Sequence, residues 1–88
     1  MNKEFYYVYA DEMNFSKFIY NVSDPEKIIS KFFKRFDMDK FSHGSKIRIY
    51  KGKRYLFKRP ILIYMIIGSD NYGSHNFYIK IYPKEATK

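Results

Sequence analysis

The densest set of charged side chains lies between Lys46 and Arg59. Seven residues of this segment are basic and none is acidic. The basic residues are Lys46, Arg48, Lys51, Lys53, Arg54, Lys58 and Arg59, and the aromatic residues among them are Tyr50, Tyr55 and Phe57. Cations replace the counterions condensed on nucleic-acid phosphates, and flat side chains stack on unpaired bases. The segment therefore predicts a non-catalytic site for RNA or single-stranded DNA.

Two more residues extend this predicted site if the last strand pairs nearby, namely Tyr78 and Lys80. We expect Tyr50, Tyr55 and Tyr78 to stack on bases while the cations neutralise phosphates. Single strands, RNA first, are favoured over duplex DNA because the sequence shows no recognition helix, and a sheet with projecting aromatic rings suits splayed bases.

The charge is divided unevenly along the chain, whose formal net charge is +8. Residues 1–45 hold seven basic and seven acidic residues, whereas residues 46–88 hold ten basic and two acidic ones. Lys, Ile, Phe, Tyr and Asn all have A/T-rich codons, so total basicity is weak evidence for binding. The asymmetry is stronger evidence, because codon drift does not place all the surplus in one half. A polyanionic partner follows.

Two other functions compete with nucleic-acid binding. A small basic chain of A/T-rich composition is typical of phage accessory proteins, which suggests an inhibitor of a host nuclease, toxin or defence complex that binds an acidic partner directly or through RNA. A metal-independent ribonuclease would rely on His43, His75, Tyr72 and Asp70 beside the cations. The two histidines lie far apart without cysteine or a clustered carboxylate pair, so no metal or other cofactor is expected.

The composition predicts one domain over residues 1–88, with residues 83–88 as a frayed tail. The chain is 45% hydrophobic and 22% aromatic, which is too apolar for a disordered tail. It has no cysteine, which excludes a disulfide scaffold. The longest apolar run, Ile61 to Ile67, is too short to span a membrane, and no secretory signal is visible. These features predict a cytoplasmic protein without membrane contact, in the host cell if it is phage-encoded.

The first half of the chain predicts a hairpin and a helix. Glu4 to Ala10 and Phe15 to Val22 are rich in aromatic and β-branched residues, and a turn separates them. Ser23 and Glu26 form the capping-box pattern of a helix start, with Pro25 in the first turn. The apolar residues of the helix then recur at spacings of three and four, and they are Ile28, Ile29, Phe32, Phe33 and Phe36.

The second half predicts three or four strands. Gly52 and Lys53 suit a two-residue hairpin turn, which would set Tyr50 opposite Tyr55, Ile49 opposite Leu56 and Arg48 opposite Phe57. Ile61 to Ile67 lacks alternation and is typical of a central strand covered on both sides. In the last strand we expect Phe77, Ile79 and Ile81 to point inward, and Tyr78, Lys80 and Tyr82 to point outward.

These elements together predict an α+β fold. The sheet is antiparallel with five to six strands, one helix packs on one of its faces, and the order is ββαββββ.

Overall fold

The described part of the chain folds into five antiparallel strands and one α-helix, which confirms the predicted α+β class. The structure is a computed structural model and describes residues 2–13, 18–54, 59–68 and 75–81. The strands are β1 (Glu4–Ala10), β2 (Phe18–Val22), β3 (Lys46–Lys51), β4 (Leu62–Ile67) and β5 (Phe77–Ile81), and the helix is α1 (Ile28–Arg35). Their order across the sheet is β2-β1-β3-β4-β5. The predicted tail lies outside the described residues.

The N-terminal hairpin forms as predicted. β1 pairs with β2 so that Val8 lies opposite Phe18 and Tyr6 opposite Tyr20. The bulky side chains of both strands favour the pleated backbone, and the three residues Asp11–Met13 form a single 3-10 turn after β1. β1 also pairs with β3 on its other edge, so the first strand of the chain lies inside the sheet.

The capping residue before the helix is Asp24, one residue later than the predicted Ser23, and it caps a 3-10 turn that precedes α1. The carboxylate of Asp24 accepts the backbone N–H of Glu26 at 3.0 Å, and Pro25 opens a 3-10 turn that leads into α1. Asp24 takes the capping role predicted for Ser23. Its side chain is short, like that of serine, so its carboxylate can accept a backbone N–H of the first turn, and its negative charge also complements the helix dipole. The Glu26 carboxylate does not reach back to the cap, since its Oε2 atom accepts a hydrogen bond from Lys80 at 2.8 Å.

The core lies between α1 and one face of the sheet, which we call the helix face. Ile28, Ile29 and Phe32 are buried there, as the helical spacing predicted. The Phe32 ring packs edge-on against Phe18 at 5.5 Å between centroids and against Phe41 at 6.2 Å. The strands contribute Tyr6, Val8, Ala10, Ile47, Ile49, Leu62, Tyr64 and Ile66.

The predicted tight turn after β3 is wrong. β3 pairs with β4, which sets Ile49 opposite Leu62 and Arg48 opposite Ile63. Gly52 does adopt a left-handed backbone with φ +97°, but its N–H bonds to the carbonyl of Phe5 in β1 at 2.7 Å. Pairing of β3 with β4 brings Leu62, Tyr64 and Ile66 into the core, and the burial of these three apolar side chains stabilises this pairing. The predicted partners of β3 at residues 55–57 lie outside the described residues.

The last two strands also differ from expectation. β4 lies between β3 and β5, as predicted for a central strand, but it is covered on one side only: Leu62, Tyr64 and Ile66 are buried, whereas Ile63, Met65 and Ile67 are half-buried. β5 is inverted relative to the prediction. Tyr78 lies opposite Ile66 and Lys80 opposite Tyr64, so both point to the helix face. Phe77, Ile79 and Ile81 therefore project from the other face, which we call the second face.

Candidate binding surfaces

The predicted site residues divide among three places in the structure. Lys46, Arg48 and Tyr50 project from the second face of β3, whereas Lys51, Tyr78 and Lys80 lie on the side of the helix face. Lys53, Arg54 and Arg59 lie in the connection between β3 and β4. Tyr55 and Lys58 fall outside the described residues. A single surface containing all the predicted residues therefore does not form.

Three of the predicted cations already have carboxylate partners. Arg48 Nη1 lies 2.5 Å from Asp11 Oδ1, Lys51 Nζ lies 3.1 Å from Glu4 Oε1, and Lys80 Nζ lies 2.8 Å from Glu26 Oε2. Each of these pairs would have to open, at a small cost, before the cation met a phosphate. Their contribution to anion binding is accordingly weaker than the sequence implied.

The other described cations of the predicted site have no carboxylate partner within the described ranges. They are Lys46, Lys53, Arg54 and Arg59, and the last three are exposed. Lys53 Nζ lies 4.2 Å from the centroid of the Phe5 ring, which orients this ammonium group at the end of β1. Lys53, Arg54 and Arg59, which we call the connection cations, form a positive region that no described acidic group neutralises.

The aromatic residues predicted to stack on bases are not available in the described structure. Tyr50 is 7% exposed and lies opposite Tyr7, which is 6% exposed. Tyr78 packs against Phe33 at 5.9 Å between nearly parallel rings and against Tyr64 at 5.4 Å edge to face. These contacts use Tyr78 in the core around α1, so the outward orientation predicted for it is wrong. Base stacking depends on Tyr55 alone among the predicted rings.

An apolar surface that the sequence interpretation missed lies on the second face of β4 and β5. It consists of Ile63, Met65, Ile67, Phe77, Ile79 and Ile81, and we call it the β4–β5 patch. Phe77 is 50% exposed and Ile79 is 39% exposed. The signal was present in the sequence, because Ile61 to Ile67 is apolar on both faces while a single short helix can cover only one.

The two histidines make structural contacts. His43 Nδ1 accepts the backbone N–H of Gly68 at 3.0 Å. His75 Nδ1 lies 2.6 Å from Asp39 Oδ2, and the other oxygen of Asp39 accepts the backbone N–H of Asn76 at 2.7 Å. The Asn76 hydrogen bond, followed by that of His75, lowers the pKa of the Asp39 carboxyl below its ordinary value. These contacts attach the start of β5 to the 3-10 turn Met38–Lys40.

These contacts do not bring the residues of the predicted ribonuclease site together. Asp70 and Tyr72 lie outside the described residues, and His43 and His75 are each held by a different neighbour. Within the described residues, no group of three or more histidine, aspartate or glutamate side chains is arranged to hold a metal ion.

Comparison with protein-family models, with curated proteins and with solved structures finds no match to this chain. Across the described residues, no helix has both the length and the apolar character that crossing a membrane requires. Only the contacts, burial and charge of the described surfaces therefore bear on function.

Proposed function

We propose that this chain is a non-catalytic nucleic-acid-binding protein that holds phosphates with the connection cations. The observation that carries the proposal is the contrast among its basic residues. Arg48, Lys51 and Lys80 are neutralised by carboxylates, whereas Lys53, Arg54 and Arg59 are exposed and have no carboxylate partner within residues 2–13, 18–54, 59–68 and 75–81.

Charge around the connection supports this choice. Its sequence, from Gly52 to Ile61, contains four basic residues and no acidic one. Most of the described carboxylates lie elsewhere, in the 3-10 turns that flank β1 and α1. Glu4 lies beside the start of the connection, where its carboxylate pairs with Lys51 at 3.1 Å. The connection cations therefore give a net attraction for a polyanion.

Whether the protein prefers single-stranded or duplex nucleic acid depends on its aromatic residues. With Tyr50 buried and Tyr78 packed against Phe33, neither of these two predicted rings is available to stack on a base. A preference for single-stranded RNA then depends on Tyr55, and we expect Tyr55→Ala to remove that preference while leaving duplex binding unchanged.

The proposal is tested by fluorescence anisotropy on a short unstructured RNA, the matching DNA strand and a duplex, each across a salt series. If four phosphates are contacted, the logarithm of the binding constant should fall with the logarithm of salt concentration with a slope of about −3 on single strands. Arg54→Glu combined with Arg59→Glu should weaken binding by at least about tenfold.

The matched control is Lys31→Glu combined with Lys34→Glu, which changes two exposed lysines of α1 and reduces the net charge by the same amount. This variant should retain binding within about threefold of wild type, because its cations lie on the solvent side of the helix, away from the connection. Equal losses in the two double variants would mean that net charge, and not the connection, attracts the nucleic acid.

A further inference from the structure

The β4–β5 patch is a group of apolar residues that the proposed nucleic-acid site does not use. Its six side chains project from two neighbouring strands, in three cross-strand pairs: Ile63 with Ile81, Met65 with Ile79, and Ile67 with Phe77. Phe77 and Ile79 are exposed and the other four are half-buried. Apolar side chains that adjoin one another on a surface can form a site for another molecule.

The patch is not part of the core. α1 packs on the opposite side of the sheet, against Tyr64 and Ile66, which alternate with the patch residues along β4. The register of β4 and β5 therefore assigns every second residue to a face that no described helix covers. Apart from Met65, every patch residue is isoleucine or phenylalanine. Exposure of such side chains to water is unfavourable, so we expect another molecule to cover the patch.

The net charge beside the patch is positive. Lys46 lies opposite Met65 on the neighbouring strand and has no carboxylate partner among the described residues, whereas Arg48, opposite Ile63, is paired with Asp11. Neighbouring strands lie about 4.8 Å apart, so the backbone of Lys46 is adjacent to the patch. None of the described strand residues on the second face is acidic, because Glu4, the one acidic residue within a strand, belongs to the helix face.

A second copy of the chain does not fit this surface well. Two copies meeting face to face would bring Lys46 of both chains together, and each chain carries a net charge of +8, so the two copies would repel each other.

We propose that the β4–β5 patch binds a short extended segment of an acidic protein, whose apolar side chains contact β4 and β5 while a carboxylate of the segment meets Lys46. An extended segment points its side chains alternately to opposite sides, so apolar residues at every second position match the spacing of the patch. This site is distinct from the connection cations, and a protein partner of this chemistry would suit an inhibitor that acts by direct contact.

The test uses three fluorescein-labelled peptides of equal length and the full chain. One peptide alternates isoleucine with glutamate, the second alternates isoleucine with lysine, and the third alternates serine with glutamate. We expect the isoleucine–glutamate peptide to bind at least about tenfold more tightly than either of the others, because it alone offers both apolar and acidic groups.

The variant is Ile79→Thr, and its matched control is Ile19→Thr. Both isoleucines are 39% exposed and lie on the second face, Ile79 in β5 and Ile19 in β2 at the far side of the sheet, so the two variants remove the same side chain at the same exposure. Threonine retains the preference for strands. The patch variant should lose about tenfold in affinity for the isoleucine–glutamate peptide, and the control should remain within about twofold of wild type. Circular dichroism establishes that both variants are folded.

Four outcomes would overturn the proposal. Equal binding of the isoleucine–lysine peptide would mean unselective adhesion, and equal binding of the serine–glutamate peptide would mean attraction by charge alone. A dimer in sedimentation velocity that the patch variant converts to monomer would assign the patch to a second copy. Loss of RNA binding in the patch variant alone would assign it to nucleic acid, whereas loss of RNA binding only in the arginine variant leaves the two surfaces independent.

Discussion

The two faces of the sheet are built from the same five strands, yet they differ in what covers them and in their charge. The helix face is closed by α1 and holds Phe32 and Ile66 with no exposed surface. The second face carries similar side chains on β4 and β5, and Phe77 remains half exposed there. Side-chain type alone therefore does not identify the core. On β4 and β5, the position of α1 decides which of two apolar sets of side chains joins the core. On β1 and β3, the second face instead holds the buried Tyr7 and Tyr50 beside the cations of β3.

Truncating one phenylalanine on each face should give the largest contrast. Phe32→Ala removes a fully buried ring that contacts Phe18 and Phe41, and we expect a loss of about 3–5 kcal/mol in the free energy of unfolding. Phe77→Ala should cost less than about 1 kcal/mol, because half of its ring is already in water. Urea denaturation measures both values. Similar losses would mean that the second face is also part of the core.

The same contrast can be sharpened within one strand. Ile66 is fully buried on the helix face, and its neighbour Ile67 is half-buried on the second face. Ile66→Ala should lower the free energy of unfolding by about 2–5 kcal/mol, and Ile67→Ala by about 1 kcal/mol. Because the two residues are adjacent, their difference depends on the register of β4 alone. A reversed order in urea denaturation would contradict the assigned faces.

Removing the carboxylate that pairs with a cation should change nucleic-acid affinity by a smaller amount. Asp11→Asn removes the carboxylate that neutralises Arg48, and Asn retains an oxygen that can accept the N–H of Lys46. We expect about threefold tighter RNA binding and a salt slope steeper by about 0.7, as for one more phosphate contact. Glu26→Gln is the control, since it releases Lys80 on the helix face with the same change in charge. Equal gains in the two variants would indicate a general charge effect.

The smallest effect concerns acid stability at the start of β5. Because hydrogen bonds from Asn76 and His75 lower the pKa of Asp39 in the folded protein, its carboxylate stabilises the fold at pH above its ordinary pKa. That contribution is lost as the pH falls through the lowered value. Asp39→Asn should therefore flatten the fall in melting temperature between about pH 4 and pH 2. If the fall in melting temperature at low pH is the same in Asp39→Asn and wild type, another carboxylate determines the acid stability.

Local patterns were sufficient for the first half of the fold. The bounds of β1, its pairing with β2 and the apolar stripe of α1 all follow from contacts between residues close in sequence. The predicted hairpin partner of β3 and the predicted orientation of β5 are wrong, because both depend on contacts between segments that are not adjacent in sequence. Ile79 and Tyr78 alternate equally well in either orientation, and only the packing of Tyr78 against Phe33 selects one.

The candidate sites show the same division. The cations from Lys46 to Arg59 could be identified from composition, but their partners could not. Arg48 pairs with an acidic residue 37 positions away and Lys80 with one 54 positions away. The β4–β5 patch was misread as core because apolar strand residues are usually buried.

The central position of β1 has a consequence during protein synthesis. β1 is made before β3, which covers its second edge and is completed 41 residues after Ala10, at Lys51. At the usual rate of translation, about 5–20 residues per second, that edge waits for roughly 2–8 seconds. During this interval a strand of four consecutive bulky residues, Phe5 to Val8, followed by Tyr9, presents unpaired backbone groups to other nascent chains. The ordering of the strands thus makes the folding yield of this protein depend on how quickly the ribosome passes through residues 11–51.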